Sequence, residues 1–172
     1  MKYLFLLFFS FNIYAQGTLM IDSEKSSLKY DAKHFLHAWS GFNNNIKGVV
    51  VYDKNISKIA VAAEVADFDS GNSNRDAHSL EVLEALKFPM IKFYSEEIKV
   101  VDESLIMNGK LEFHGQEKEI TISSSLNENE NFIQIQGVFQ VIPTEFLIKL
   151  PSFMLAEIRD LLTIKFDLFF KK

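Results

Sequence analysis

His34, His37, His78 and His114 are the only imidazoles in the 172-residue sequence, and the first two stand at a spacing that resembles a pair of metal ligands. A closed zinc site needs about four nitrogen, sulfur or carboxylate ligands. The chain has no cysteine, and no tight carboxylate cluster stands beside the pair. Local hydrogen bonding is therefore the expected fate of these histidines, and no metal is expected. Nucleophilic catalysis has as little to draw on. Serine and histidine both occur, but the GxSxG elbow that lifts a serine out of a strand-to-helix turn is absent. A dispersed triad is recognised in space rather than in sequence. For an enzyme acting on an apolar substrate, His37 and His114 are the only ready candidates, and neither has a legible partner. No catalytic residue is assigned.

Other polar residues have double readings. Arg75 and Asp76 follow a Gly/Asn/Ser-rich turn and precede a run of helix formers. Asp76 suits the free backbone donors of a helix start, with Arg75 pairing with a carboxylate. The alternative is that Arg75 meets an anionic head group. That is weakened by the lack of any glycine-rich phosphate loop. Trp39, in the HAWSG stretch with His37, is either a ligand-facing anchor or ordinary packing near a barrel mouth, since indole carries a large apolar surface and one donor. Gly109 and Gly137 fall on the apolar phase of strands, where glycine gives no packing. Bends that close a barrel explain them, and so does the close approach of something bulky inside.

The elements that must position these residues begin after a leader. Residues 1–15, MKYLFLLFFSFNIYA, carry Lys2, an apolar run and Ala15 ahead of a polar residue, the layout of a secretory signal cleaved after Ala15. The run is shorter than the roughly 20 apolar residues that span a bilayer. Cleavage leaves residues 16–172 as one domain, destined for the periplasm or secretion. Without Lys2 the 18 basic side chains become 17 against 23 acidic, a net charge of −6, which gives no electrostatic case for nucleic acid. Of 17 phenylalanines, Phe5, Phe8, Phe9 and Phe11 belong to the leader, so 13 load the folded part.

That part alternates with period two. Leu28, Tyr30 and Ala32 share one face of a strand, and Ile59, Val61, Ala63 and Val65 share another. In the 46–52 strand the pattern leaves both faces open. Ile91, Phe93 and Ser95 alternate with polar residues, as do Leu105, Met107, Gly109, Leu111 and Phe113. A hairpin is expected at 114–117, then Ile120 and Ile122, a polar turn at 127–131, and Ile133, Ile135, Gly137, Phe139 and Val141. Ile164, Phe166, Leu168 and Phe170 close the series. Between residues 76 and 88 good helix formers place Leu80, Leu83 and Leu86 roughly along one side before Pro89, a short helix fit to cap an open end. Seven or eight antiparallel strands give a sandwich or a closed barrel, and periodicity alone does not choose.

Two segments carry a resemblance that does choose. SGNSNRDAHSLEVLEALKFPMIKFYSEEI, 70–98, and LIMNGKLEFHGQEKEITI, 105–122, resemble the YceI-like family of exported polyisoprenoid-binding proteins. The shared features are Arg75 and Asp76, His78, the KFPMIKFYS run at 87–95, and Gly109, Leu111 and Gly115. The opening IDSEKSSLKY, 21–30, is similar too. The resemblance implies an all-β, eight-stranded antiparallel lipocalin-like barrel with a short helical segment near 76–88. Its apolar tunnel would hold an isoprenoid chain or a quinone as ligand, with no cofactor and no catalytic use of the Arg-Asp pair; the alternative is a structural or interaction barrel whose interior is a filled core. The chain departs from the family pattern at HFLHAWSGFNNNIKG, 34–48, and in the apolar-rich loop VIPTEFLIKLPSFMLAEIRD, 141–160.

The expected ligand lining is thus Tyr30, Trp39, Val61, Phe93, Met107, Leu111, Phe113, Ile122, Ile135, Phe139, Ile164 and Phe166, with Phe153 and Met154 from the late loop. His37, Arg75, Asp76 and His78 are expected as polar groups at the mouth or as structural groups. The partner is an apolar small molecule, with transient membrane contact left open and no oligomeric state implied. Mass spectrometry of the chain recovered from an exporting cell is expected to find Gln16 as its first residue; recovery of an intact Met1 terminus would remove the export reading.

Overall fold

Where apolar and polar side chains alternate in the sequence, strands form. A computed structural model of the protein describes residues 17–153 and 156–172, so the leader lies outside the described residues. In chain order the elements are β1 (Gly17–Met20), β2 (Ser27–Lys33), β3 (Ala38–Asn43), β4 (Ile46–Asp53), β5 (Asn55–Glu64), α1 (Ser73–Val82), β6 (Met90–Val101), β7 (Ser104–Phe113), β8 (Gln116–Glu128), β9 (Phe132–Val141), β10 (Ser152–Phe153), β11 (Ala156–Glu157) and β12 (Leu162–Lys171). Short 3-10 turns follow β5 at Val65–Asp67 and β9 at Pro143–Phe146. β10 and β11 make a small ribbon of their own. The other ten strands form one antiparallel sheet in the order β1-β4-β5-β6-β7-β8-β9-β12-β2-β3.

Ten strands stand where eight were expected, and the difference has a local cause. β1 and β2 run in one direction along a single path interrupted at residues 22–26, and β3 and β4 along another interrupted at 44–45. β1 pairs with β4 and β2 with β3. The two ends of the sheet order are therefore halves of the same two paths. β2 also pairs with β12, and Ile21, just past β1, bridges Phe170 of β12. The sheet thus rolls up on itself as a barrel of eight strand paths.

Each interruption is stitched by one buried polar side chain. At the first, the Ser26 hydroxyl donates to the Asp22 carbonyl (2.8 Å) and accepts from the Phe169 amide (2.9 Å). At the second, the Asn43 carboxamide accepts from the Asn45 amide (2.7 Å) and donates to the Glu64 carbonyl (3.2 Å). A gap in a ladder leaves backbone groups bare, and these bonds satisfy them.

The hairpins β4–β5, β6–β7 and β8–β9 turn back at one end. Val50, Leu105, Ile133, Ile135 and Phe170 fill the barrel there at or near zero exposure. Burial of Ile46 and Val50 settles the face of β4 that the sequence left open. The opposite end receives the connections 34–37, 65–89, 114–115 and 142–161.

Two expectations at that end need correction. The 114–117 hairpin is tighter than expected: His114 (φ 50°) and Gly115 (φ 69°) alone make the turn, both left-handed as a two-residue primed turn requires. The helix spans Ser73–Val82 rather than 76–88, and Asn72 caps it, accepting from the Arg75 amide at 3.0 Å. The run of turn formers already contained the cap and the first turn. Glu84 (φ 44°) ends the helical path, which throws Leu86 to the outside instead of onto the side of Leu80 and Leu83.

Asn43→Ala is expected to cost about 1–3 kcal/mol, the usual penalty for orphaned backbone partners, read as a lower urea midpoint. A midpoint equal to that of the parent would show that the break at 44–45 does not need its stitch.

Candidate ligand cavity

Above the packed end the barrel holds a cavity of about 270 Å³. Its walls are the inward faces of the strands, and its cover is α1 with parts of the β9–β12 connection. Of the residues expected to line it, Tyr30, Trp39, Val61, Phe93, Met107, Leu111, Phe113, Ile122, Phe139, Ile164 and Phe166 border it. Ile135 does not: it points inward but is fully buried in the packed end. Alternation reports which side of a strand faces in, not how far along the barrel axis a residue lies. The Phe153 side chain and Met154 lie outside the described residues. Sequence reasoning passed over Phe68, Val82, Ile148, Ile158 and Leu162 and placed Leu150 only in a loop able to line the mouth; all six border the cavity. The apolar richness of the late loop was the available signal for Ile148, Leu150 and Ile158.

The interior stays open because rings lie along its wall. A Cβ built on Gly41 would fall 2.3 Å from the Tyr30 ring, on Gly109 2.8 Å from the Phe93 ring, and on Gly137 2.4 Å from the Phe166 ring. Tyr30 and Gly41 are direct cross-strand partners, as are Phe166 and Gly137. The bulky group that approaches these glycines is thus the protein's own aromatic from the neighbouring strand, an arrangement known from β-sheets in general.

The polar groups gather under the helix. Arg75 donates from Nε to the Ser70 hydroxyl (2.9 Å) and from Nη2 to the Ser70 carbonyl (3.2 Å), with its guanidinium 5.8 Å from the Trp39 ring centroid. Asp76 accepts from the Ser70 amide with both oxygens, at 3.2 and 3.3 Å. The Arg-Asp pair therefore clamps Ser70, whose neighbour Asp69 bridges Phe42 of β3. Two expectations change: Arg75 holds a hydroxyl and a carbonyl rather than a carboxylate, and Asp76 grips Ser70, two residues ahead of the Asn72 cap, rather than capping the helix. Burial pushes the Tyr30 hydroxyl's pKa up and Asp76 adds to that, while a Trp39 hydrogen bond and Arg75 pull the other way.

The histidines divide. His78 borders the mouth, exposed, with Nδ1 3.3 Å from Glu81. His37 does not border the cavity; its ring lies 5.5 Å from that of Trp39. His114 is buried at the β7–β8 turn, where Nδ1–H donates to the Phe146 carbonyl (2.9 Å). Its Nε2 sits 3.0 Å from Glu84 Oε2 without the alignment of a hydrogen bond. Among the described residues no three His, Asp or Glu side chains converge as a metal site.

A barrel packed solid at one end and holding an apolar cavity beneath a helix at the other is a lipocalin-like architecture. Within that class the chain belongs to the YceI-like family, whose domain model matches residues 19–170. A UPF0312 protein of Yersinia enterocolitica is 28% identical over 116 residues, 64% of this chain and 60% of that protein. Another from Enterobacter sp. is 26% identical over 111 residues, 61% and 58% of the two. The chain thus spans about 60% of the length of the curated relatives it matches. Among solved structures, Burkholderia cenocepacia BcnA has a TM-score of 0.79 at 20% identity, covering 87% of this chain and 98% of that one. A polyisoprenoid binding domain from Saccharophagus degradans has 0.74 at 11%, covering 91% and 99%. At such identities the likeness establishes a shared fold.

Gly41→Ala and Gly137→Ala meet mainly side-chain atoms, so both variants are expected to fold and lose about 1–3 kcal/mol, the range for overpacking. Gly109→Ala meets the Tyr94 carbonyl at 2.4 Å and is expected to lose more. Equal urea midpoints for the three would contradict the seating of the rings.

Proposed function

We propose that this protein binds a long apolar molecule in its barrel, of the isoprenoid or isoprenoid-quinone class, and shields or carries it through water without catalysing a reaction. The observation that carries the reading is the cavity itself, lined almost throughout by aliphatic and aromatic side chains and closed at its inner end. The similar Saccharophagus degradans domain, a polyisoprenoid binding domain, favours the same ligand class. Neither His37 nor His114 borders the cavity, which removes the two side chains that an enzyme reading would have used. Work in the periplasm or outside the cell belongs to the same proposal, since a carrier of apolar molecules acts where they must cross water.

Magnitudes limit how much is enclosed. At about 30 Å³ for each water-sized unit, 270 Å³ holds roughly nine methylene-sized groups. Burying them yields on the order of 7 kcal/mol gross, at about 0.8 kcal/mol each. Association costs a comparable amount. A ligand that also runs out past α1 would bury more apolar surface and be held more tightly.

Native mass spectrometry of the protein purified from its own cell envelope, with organic extraction, is expected to find one isoprenoid per chain. Val61→Asp, which puts a carboxylate on the cavity wall opposite Phe93, is expected to lower retention at least tenfold while circular dichroism stays that of the parent. A parent protein that is ligand-free and also refuses added isoprenoids would point to a barrel with no cargo.

A further inference from the structure

Ten large apolar side chains stand exposed among the described residues, and their positions divide them. Met20, Phe42, Tyr94, Val101 and Val138 lie within strands. The other five, Phe35, Leu36, Leu86, Ile142 and Leu147, lie in connections, and all of those connections are at the cavity end. The turns at the packed end are Lys54, Asp102 with Glu103, and Asn129, Glu130 and Asn131, all polar. The asymmetry follows the cavity.

The apolar tips project strongly. Leu86 is fully exposed, Leu147 69%, Phe35 63% and Leu36 55%. Leu147 follows the buried Phe146 in a left-handed conformation (φ 58°), and Glu84 (φ 44°) precedes Leu86 in the same region. A residue with a Cβ takes that backbone at a cost, yet neither leucine is turned inward by it.

The tips stand on loops that brace one another. His114 joins Phe146, the Phe88 ring packs 4.6 Å from the His114 ring, and the Arg159 amide donates to the Lys33 carbonyl at 2.9 Å. A lysine stands within two residues of three of these tips: Lys33 near Phe35, Lys87 beside Leu86, Lys149 near Leu147. Lys87 lies 4.0 Å from Glu84, whereas Lys33 and Lys149 join no ion pair among the described residues.

We propose that the cavity end of the barrel docks on a phospholipid bilayer, with Phe35, Leu36, Leu86 and Leu147 entering the interfacial layer and the adjacent lysines meeting lipid phosphates. This inference rests on the reading of the cavity as a lipid site. Apolar tips flanked by long basic side chains match the two layers of a membrane surface, acyl boundary below and phosphate above. Docking there also places the mouth against the bilayer, so that an apolar ligand enters without crossing water.

The test is co-sedimentation of the signal-free chain with vesicles of phosphatidylethanolamine and phosphatidylglycerol. The parent is expected to bind. The variant Phe35→Ser/Leu36→Ser/Leu86→Ser/Leu147→Ser is expected to bind at least tenfold more weakly, while Val138→Ser, on the barrel wall, binds as the parent does. If the fourfold variant does not fold, Leu86→Ser at the fully exposed site is expected to weaken binding about threefold. No sedimentation of the parent, or equal sedimentation of the rim variants, would overturn the proposal. So would a vesicle-free dimer, seen by ultracentrifugation, that the fourfold variant abolishes, since a second copy would then be the true occupant. Organic extraction separates this from the cavity reading: a ligand-free protein that binds vesicles keeps the docking and loses the cargo, and a loaded protein that ignores vesicles does the reverse.

Discussion

An eight-stranded barrel has an interior just wide enough for its own side chains to fill, so a cavity exists only where large groups are withdrawn from the axis. Here the withdrawal is done by pairs. Tyr30, Phe93 and Phe166 lie flat because a neighbouring strand offers glycine at the place where each ring must rest. Every other property of the site depends on this seating. With three rings turned toward the axis, the same strands and the same closure would enclose a solid core. The packed end shows that alternative in the same molecule, where Leu105, Ile133, Ile135 and Phe170 meet across the axis with no glycine seat among them.

Closure imposes the second constraint. The two strand paths that seal the barrel are both broken, and each break depends on a side chain to replace the lost ladder bonds. Ser26 serves β12 and Asn43 serves the top of β5. The Arg-Asp pair extends the same logic beyond the sheet, since both residues hold Ser70 and so tie the cover of the cavity to β3 through the Asp69 bridge. A charged pair in the first turn of a helix looks like chemistry in a sequence. Its partners here are a serine and its backbone.

How much of this was legible in the sequence follows from what period two can encode. Inward faces were readable for β5, β7, β9 and β12, because each repeats its apolar residue over several turns of the pleat. Depth was not, which is why Ile135 was grouped with Phe139 although only the latter reaches the cavity. Strand breaks were invisible, since a serine and an asparagine look the same in a sequence whether or not they repair a ladder. The helix start was read late because its cap lies inside a segment that looks like loop, and Leu86 was placed with Leu80 and Leu83 by extending a period past the point where Glu84 reverses the backbone. The glycines were noticed and given two meanings. Only cross-strand register shows that the bulky neighbour is internal.

The packed end has a consequence for traffic. With Leu105, Ile133 and Phe170 filling the barrel across its whole width, the hollow is a blind sac with one doorway. A chain that enters it tail first leaves head first, by the way it came. Such a vessel cannot serve as a pipe between two compartments, however many copies line up. As the carrier proposed above it would exchange its contents only by turning the doorway from donor to acceptor, and the rate of delivery would be set by tumbling and re-docking rather than by passage through the wall.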